Sequence, residues 1–242
     1  MIKNYFQTKL TIKYLYSVLN SQKALNSLMF QLAEVEEGES GGGENLFDKA
    51  INYVKDPALK KMIEIHKLDE ERHAKELKSL IRGDYYYDLE DRKDLSYLYL
   101  IEKRFFESLT NIRNDIDLLK FFSILKVLEE RAIENYQLYL RTGFKKKDFI
   151  YLFQNIIKDE KKHLRFCDKV ISSISSVNLS KKERIYLSYK EMEEEIFYQI
   201  TIGMMQFHVD KNIFPNKSER LFWQLIKFSL SQGNFKKYSN IA

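Results

Sequence analysis

Apolar residues recur every three to four positions along most of this chain, the spacing that gathers them on one face of an α-helix. Segments with this pattern cover about 1–18, 22–55, 57–82, 93–141, 147–173 and 181–230, the last with an interruption near 215. Only 8 glycines and 2 prolines occur in 242 residues, which favours long helices over a turn-rich β fold. The pattern predicts an all-α fold in which residues 1–242 form one helical domain, with extra helices at both ends.

Several predicted helix ends carry recognisable signals. Pro57 is well placed to open a helix, since proline is tolerated in the first helical turn. Asn178 has the character of an N-cap residue, whose side chain accepts a hydrogen bond from the first turn of the following helix. We expect a break near 111–117 in the segment 93–141, and a long crossover that begins at Asp84 and links the two halves.

Two short strings, 90 residues apart, carry the most specific chemical signal. Residues 69–73 read Asp-Glu-Glu-Arg-His, and residues 159–163 read Asp-Glu-Lys-Lys-His. In each string a glutamate precedes a histidine by three positions, which places both side chains on one helix face where they can bind the same metal ion.

A further glutamate repeats with the same offset. Glu39 precedes Glu70 by 31 residues, and Glu129 precedes Glu160 by 31 residues. In an antiparallel helix pair the chain runs along one helix and returns along the next, at a rise of about 1.5 Å per residue in each. A spacing of this length therefore places each upstream glutamate at about the same height as its downstream partner. Helical phase also selects Glu39 and Glu129 over their acidic neighbours. The glycine run at 41–43, shortly after Glu39, is either a loop or an opened helix, so Glu36 stays an alternative ligand.

Four carboxylates and two imidazoles are the ligands of a dinuclear iron or manganese site in a four-helix bundle. The predicted ligands are Glu39, Glu70, His73, Glu129, Glu160 and His163. Oxygen-rich sites with one imidazole per ion suit iron or manganese better than zinc. Asp69 and Asp159 are either hydrogen-bond partners of the ligand histidines or ordinary surface acids.

Other residues have one functional and one structural interpretation each. His66, one turn before Glu70, is either a seventh ligand or a core histidine. Tyr136 is either a phenol that reaches the site or a packing residue, and Cys167 is best explained as a buried structural thiol. His208 lies two residues before an aspartate. An ordinary helix end explains this pair better than an outlying pair of metal ligands.

Composition narrows the setting. The single cysteine excludes an internal disulfide, and the start of the chain lacks the apolar run of a secretory signal, so we expect a cytoplasmic protein without a membrane partner. A net charge of +5 is modest, and a nucleic acid is the least favoured partner.

These motifs resemble those of the ferritin-like di-iron carboxylate proteins, which include rubrerythrins, ferritins, bacterial multicomponent monooxygenases and the small subunit of ribonucleotide reductase. The Gly-Glu-Ser around Glu39 is similar to the first-helix ligand segment of rubrerythrins, and residues 69–73 are similar to the string of the oxygen-activating members. The resemblance covers about 20–175. It implies a four-helix bundle with a long crossover, and the six predicted ligands around two iron ions, or around one manganese and one iron.

Two positions depart from particular members of that group. Ala132 occupies the place of an additional glutamate in rubrerythrins, and Ile156 that of a third histidine in the N-oxygenating members. The lone cysteine also excludes a rubredoxin module in this chain.

The resemblance implies an oxidoreductase that activates dioxygen and hydroxylates or oxidises an organic substrate. The alternatives are iron oxidation, peroxide detoxification or metal storage without an organic substrate, and a tRNA-modifying di-iron hydroxylase. Expected partners are dioxygen or peroxide, a small-molecule substrate, an external electron donor and a second copy in a homodimer.

Overall fold

The computed structural model describes residues 2–37, 46–83, 95–110, 112–142, 147–214 and 216–232. Within these ranges the chain is helical without a β-strand, which confirms the all-α prediction. The helices are α1 (Ile2–Leu19), α2 (Gln22–Glu37), α3 (Leu46–Tyr53), α4 (Pro57–Ser79), α5 (Tyr97–Thr110), α6 (Asp115–Arg141), α7 (Lys147–Ser173), α8 (Leu179–Asp210) and α9 (Lys217–Gln232).

Two antiparallel helix pairs form the centre of the fold. α2 packs along α4, α6 packs along α7, and contacts between α4 and α7 join the pairs. Asn26, early in α2, donates a hydrogen bond to the carbonyl of Arg82, just beyond α4. In the other pair, Lys126 reaches Asp168 near the end of α7, and Tyr136 packs on Phe153 near its start.

One buried carboxylate ties three helices together outside these pairs. Arg131 of α6 donates from Nε and Nη2 to the two oxygens of Glu193 on α8, at 2.8 and 2.9 Å. The hydroxyl of Tyr97 on α5 donates to the same carboxylate at 2.7 Å. Because the charge of Glu193 is buried, these donors offset the cost of removing it from water.

The apolar core consists of two layers. The first layer includes Ile63, Leu125, Phe166 and Trp223, and the second includes Met29, Ala74, Leu77, Tyr136 and Phe153. The first layer precedes the predicted ligand positions on α4 and α6 and follows them on α7, which runs in the opposite direction to α6. The second layer lies on the other side of these positions on each helix. The ligand positions therefore occupy a polar level between two apolar layers.

Several predicted boundaries are confirmed. Pro57 opens α4, and Asn178 caps α8 by accepting a hydrogen bond from the backbone N–H of Lys181 at 2.9 Å. The predicted segment 93–141 is broken after Thr110, and Asn114 caps the helix that follows. The first long segment contains two described helices, α2 and α3.

Some predictions fall outside the described residues. They concern Glu39, the glycine run at 41–43 and the start of the crossover at Asp84. In the part of the chain that the structure describes, no helix has the length and apolar content needed to cross a bilayer.

Candidate metal centre

Seven buried carboxylate and imidazole side chains from four helices meet at the polar level of the fold. They are Glu36 of α2, His66, Glu70 and His73 of α4, Glu129 of α6, and Glu160 and His163 of α7. Spacings of three and four residues put the side chains of α4 on one face. The antiparallel pairing then brings the faces of the four helices together.

A first ligand group consists of His66, Glu70, Glu129 and His163, whose ligand atoms all lie within 4.8 Å of one another. Nε2 of His66 is 2.9 Å from one oxygen of Glu70 and 2.9 Å from one oxygen of Glu129. Nδ1 of His163 is 3.1 Å from the same Glu70 oxygen. These four atoms surround a volume suited to one cation.

A second ligand group consists of Glu36, Glu70, His73 and Glu160, within the same limit of 4.8 Å. Nδ1 of His73 lies 3.1 Å from Oε2 of Glu36 and 3.3 Å from Oε1 of Glu160. Oε2 of Glu70 completes the group at 3.5 Å from the same nitrogen.

Two carboxylates face both groups. Oε1 of Glu70 points toward His66 and His163, and its Oε2 points toward His73. Glu160 divides its oxygens in the same way, with Oε2 at 3.0 Å from Nδ1 of His163 and Oε1 toward His73. A carboxylate with one oxygen toward each of two positions can bridge two metal ions, which is the arrangement of a dinuclear site.

Without a metal ion, protons on some side chains of the cluster offset the negative charges of the others. Burial raises the pKa of Glu36 to about 8, and the neighbouring charge of Glu70 adds to this effect. Burial and the charges of Glu70 and Glu129 also keep the pKa of Glu160 well above its ordinary value. For Glu129, burial opposes ionisation, but the positive charge of His66 and hydrogen bonds with Glu160, His163 and His66 together outweigh it and lower the pKa to about 2.

The imidazoles shift in the complementary direction. Burial disfavours their charged forms, but the surrounding carboxylates outweigh it and raise the pKa values of His66, His73 and His163. Since metal ions bind neutral imidazoles and ionised carboxylates, metal binding at this cluster would release protons.

The acids beside the two ligand glutamates form a crossed outer arrangement. Oδ2 of Asp69 on α4 lies 3.4 Å from Nε2 of His163 on α7. In the opposite direction, Oδ2 of Asp159 lies 3.6 Å from Nε2 of His73. Arg72 joins the two acids through Nη2, at 3.0 Å from Asp69 and 2.8 Å from Asp159. Each contact orients a ring whose other nitrogen faces the cluster.

Tyr136 contributes a polar contact from within the second apolar layer. Its hydroxyl donates to Oε1 of Glu36 at 2.5 Å, while Oε2 of that carboxylate faces His73. Burial and the charge of Glu36 raise the tyrosine pKa well above its ordinary value, so the phenol stays protonated. The structure thus supports the first interpretation of Tyr136, in which the phenol reaches the site.

A cavity of about 60 Å³ lies beside the cluster. All four carboxylates of the cluster reach it, and its wall is mainly apolar, with Leu98, Leu125, Leu128 and Ala132 among the lining residues. Its volume is that of a few water-sized molecules. The cavity offers an apolar space for a small molecule in direct reach of both ligand groups.

The structure brings together five of the six predicted ligands, and Glu39 lies outside the described residues. Glu36, the alternative ligand of α2, lies in the second ligand group. His66 lies in the first ligand group, and its spacing of four residues before Glu70 was the available sequence signal.

The remaining candidates lie elsewhere or pack in the core. Cys167 is fully buried, in agreement with a structural thiol. His208 is hydrogen-bonded to Tyr14 through Nδ1 at 2.7 Å, whereas Asp210 pairs with Lys227, so these two side chains form no ligand pair.

Comparisons of the chain with protein-family models, with curated proteins and with solved structures gave no match.

Proposed function

We propose that the protein is a dinuclear metal oxidoreductase with a ferritin-like bundle formed by α2, α4, α6 and α7. Its metal ions are two irons, or one manganese and one iron. The observation that supports this most directly is the position of Glu70, which belongs to both ligand groups and presents one oxygen to each.

The donor set fits these metals. Among the described residues, the cluster offers carboxylates and imidazoles and no thiolate, a combination suited to iron and manganese. A pair of iron(II) ions, when bound, would supply two electrons to dioxygen or peroxide at one place. The chain's own residues fix the ligands, orient the imidazoles through Asp69 and Asp159, and keep bulk water out with two apolar layers.

The cavity is the natural entry point for the reactants. Dioxygen is small and apolar, and the wall formed by Leu125, Leu128 and Ala132 favours such a molecule over bulk water. The oxidised group of a small organic substrate would approach the same carboxylate-lined side.

Metal stoichiometry tests the proposal. Full-length protein freed of metal and then equilibrated with iron(II) under anaerobic conditions should retain about two ions per chain, measured by elemental analysis. Glu70→Ala should retain fewer than one, because this substitution removes a ligand from both groups. Glu64→Ala, an exposed glutamate of the same helix, is the matched control and should retain the wild-type number. Retention of two ions by Glu70→Ala would overturn the proposal.

A second candidate function is iron oxidation without an organic substrate, and the small cavity volume of about 60 Å³ favours it. Dioxygen uptake by the iron(II)-loaded protein distinguishes the two. An oxidoreductase of organic substrates turns over with an electron donor present. A storage protein consumes dioxygen only in proportion to added iron, and forms a large assembly in sedimentation experiments.

A further inference from the structure

We propose that the two metal positions are unequal, and that His66 makes the first ligand group selective for the later transition metal while the second accepts manganese(II). This inference rests on the dinuclear site proposed above. It adds a residue with a specific role and predicts a mixed-metal centre with a defined arrangement.

The position of His66 is that of a ligand. The side chain is 1% exposed, and neither ring nitrogen has a hydrogen-bond partner among the described residues, although Nε2 lies 2.9 Å from Glu70 and from Glu129. Ligands about 2.1 Å from an ion in octahedral geometry lie about 3.0 Å from one another. These contacts are ion pairs in the protein alone, and their spacing is also that of atoms that share an ion. Nδ1 has no hydrogen-bond partner among the described residues, which is costly for a buried imidazole.

A second imidazole adjoins the first. The rings of His66 and His163 stack with centroids 3.7 Å apart and planes inclined by 24°, and both rings direct a nitrogen to the same oxygen of Glu70. The first ligand group thus offers two imidazoles and two carboxylates to one position.

The second ligand group has a different donor set, with one imidazole and three carboxylates. One of its carboxylates, Glu36, also accepts a hydrogen bond from Tyr136, which draws electron density away from the oxygen atoms. Nη2 of Arg72 lies 3.2 Å from Nε2 of His73, but a guanidinium is not a metal ligand.

The difference in donors implies a difference in selectivity. Imidazole nitrogen favours iron(II), cobalt(II) and later metals, whereas carboxylate oxygen suits manganese(II). Affinity at any one site also rises from manganese through iron to cobalt. When both kinds of ion are limiting, the later metal should occupy the first position, leaving manganese the second.

Anomalous diffraction on the wild-type protein tests this arrangement directly. The metal-free full-length chain is incubated with one equivalent each of manganese(II) and cobalt(II), the latter as an air-stable substitute for iron(II), and then crystallised. Maps at the two absorption edges should show cobalt in the first position in at least about tenfold excess over manganese, and manganese enriched in the second. Equal mixing of the metals at both positions would overturn the inference.

A variant isolates the role of His66. In cobalt(II) titrations followed by visible absorption, His66→Gln should weaken the tighter of two binding steps at least about tenfold and change the weaker step little. His208→Gln removes an equally buried histidine away from the site and should leave both steps unchanged. If both cobalt(II) binding steps of His66→Gln match those of the wild type, the inference is wrong.

The outcomes separate the inference from the proposed function. Wild-type protein that binds no ion contradicts the dinuclear site itself. Wild-type protein that binds two ions without preference leaves that site in place and contradicts only the role of His66. If His66→Gln does not fold, the wild-type diffraction experiment decides alone.

Discussion

Three of the four histidines of this chain lie among buried carboxylates, and the fourth lies in an aromatic environment. The carboxylates raise the pKa values of the first three. His208 instead packs against Tyr14, Phe207 and Phe214, and burial lowers its pKa to about 3. The same residue type is thus held charged at one place and neutral at another, and the nearby charges decide which.

His208 should destabilise the folded protein at acidic pH. Its folded-state pKa of about 3 is below the ordinary value of 6.5, so below pH 6.5 the unfolded chain gains a proton that the folded chain does not. Stability is lost progressively from pH 6.5 down to about 3, by about 2 kcal/mol at pH 5. His208→Gln lacks this loss. The free energy of unfolding of the wild type, measured in urea relative to that of His208→Gln, should therefore fall by about 2 kcal/mol between pH 7.5 and pH 5. A constant difference would contradict the buried, neutral state.

The Glu-x-x-His pairs were predictable from sequence because their geometry is local. Both partners lie on one helix, so the spacing alone determines that they share a face. The upstream ligand of the first half was harder to choose, because a spacing of three residues would put Glu36 and Glu39 on nearly the same face of a continuous helix. His66 was ambiguous for a different reason: its spacing fits, but only the approach of α6 brings Glu129 to Nε2.

At the scale of helices, the boundaries follow short-range signals. Asp56 caps α4, Asn114 caps α6 and Asn178 caps α8, in each case through a side-chain oxygen that accepts backbone N–H groups. Such caps are determined by a few adjacent residues, which is why sequence predicts them. The contact of α8 with α6 and α5 depends on Arg131, Glu193 and Tyr97, which are up to 96 residues apart, and no local pattern announces it.

Removal of the α8 cap should cost stability without affecting the metal site. Asn178→Ala leaves the backbone N–H of Lys181 without its side-chain acceptor, and should lower the free energy of unfolding by about 1 kcal/mol. Asn178→Ser keeps an oxygen at the position and should recover most of the loss. Urea denaturation measures both variants. Equal stability of Asn178→Ala and wild type would show that the cap contributes nothing.

At the scale of the whole molecule, the polar cluster separates two apolar layers along α4, α6 and α7, and both layers extend to α1 and α2. The first layer includes residues of α8 and α9, among them Trp223, and the second is formed by the central helix pairs and Leu15 of α1. Four buried carboxylates between these layers oppose folding unless protons or metal ions neutralise them. Metal binding is therefore expected to stabilise both layers together.

The single tryptophan makes this coupling measurable. Trp223 is fully buried, and its Nε1 donates to the hydroxyl of Ser17 at 3.0 Å, so its fluorescence reports the packing of α9 on α1. If residues 1–242 form one cooperative domain, manganese(II) should raise the thermal midpoint seen by Trp223 fluorescence and that seen by circular dichroism by the same amount. An ion at about 100 times its dissociation constant contributes about 2.7 kcal/mol per site.

Glu70→Ala supplies the control for that experiment, because it removes a ligand shared by both groups and should abolish the metal-dependent shift in both signals. A shift in circular dichroism without one in Trp223 fluorescence would show that α9 unfolds separately from the helices that hold the cluster. Coincident shifts that vanish in the variant would instead establish that the centre stabilises the molecule as a unit, since the Trp223 ring packs against Tyr14, Phe214 and Phe222 and its thermal midpoint responds to an ion through cooperative unfolding.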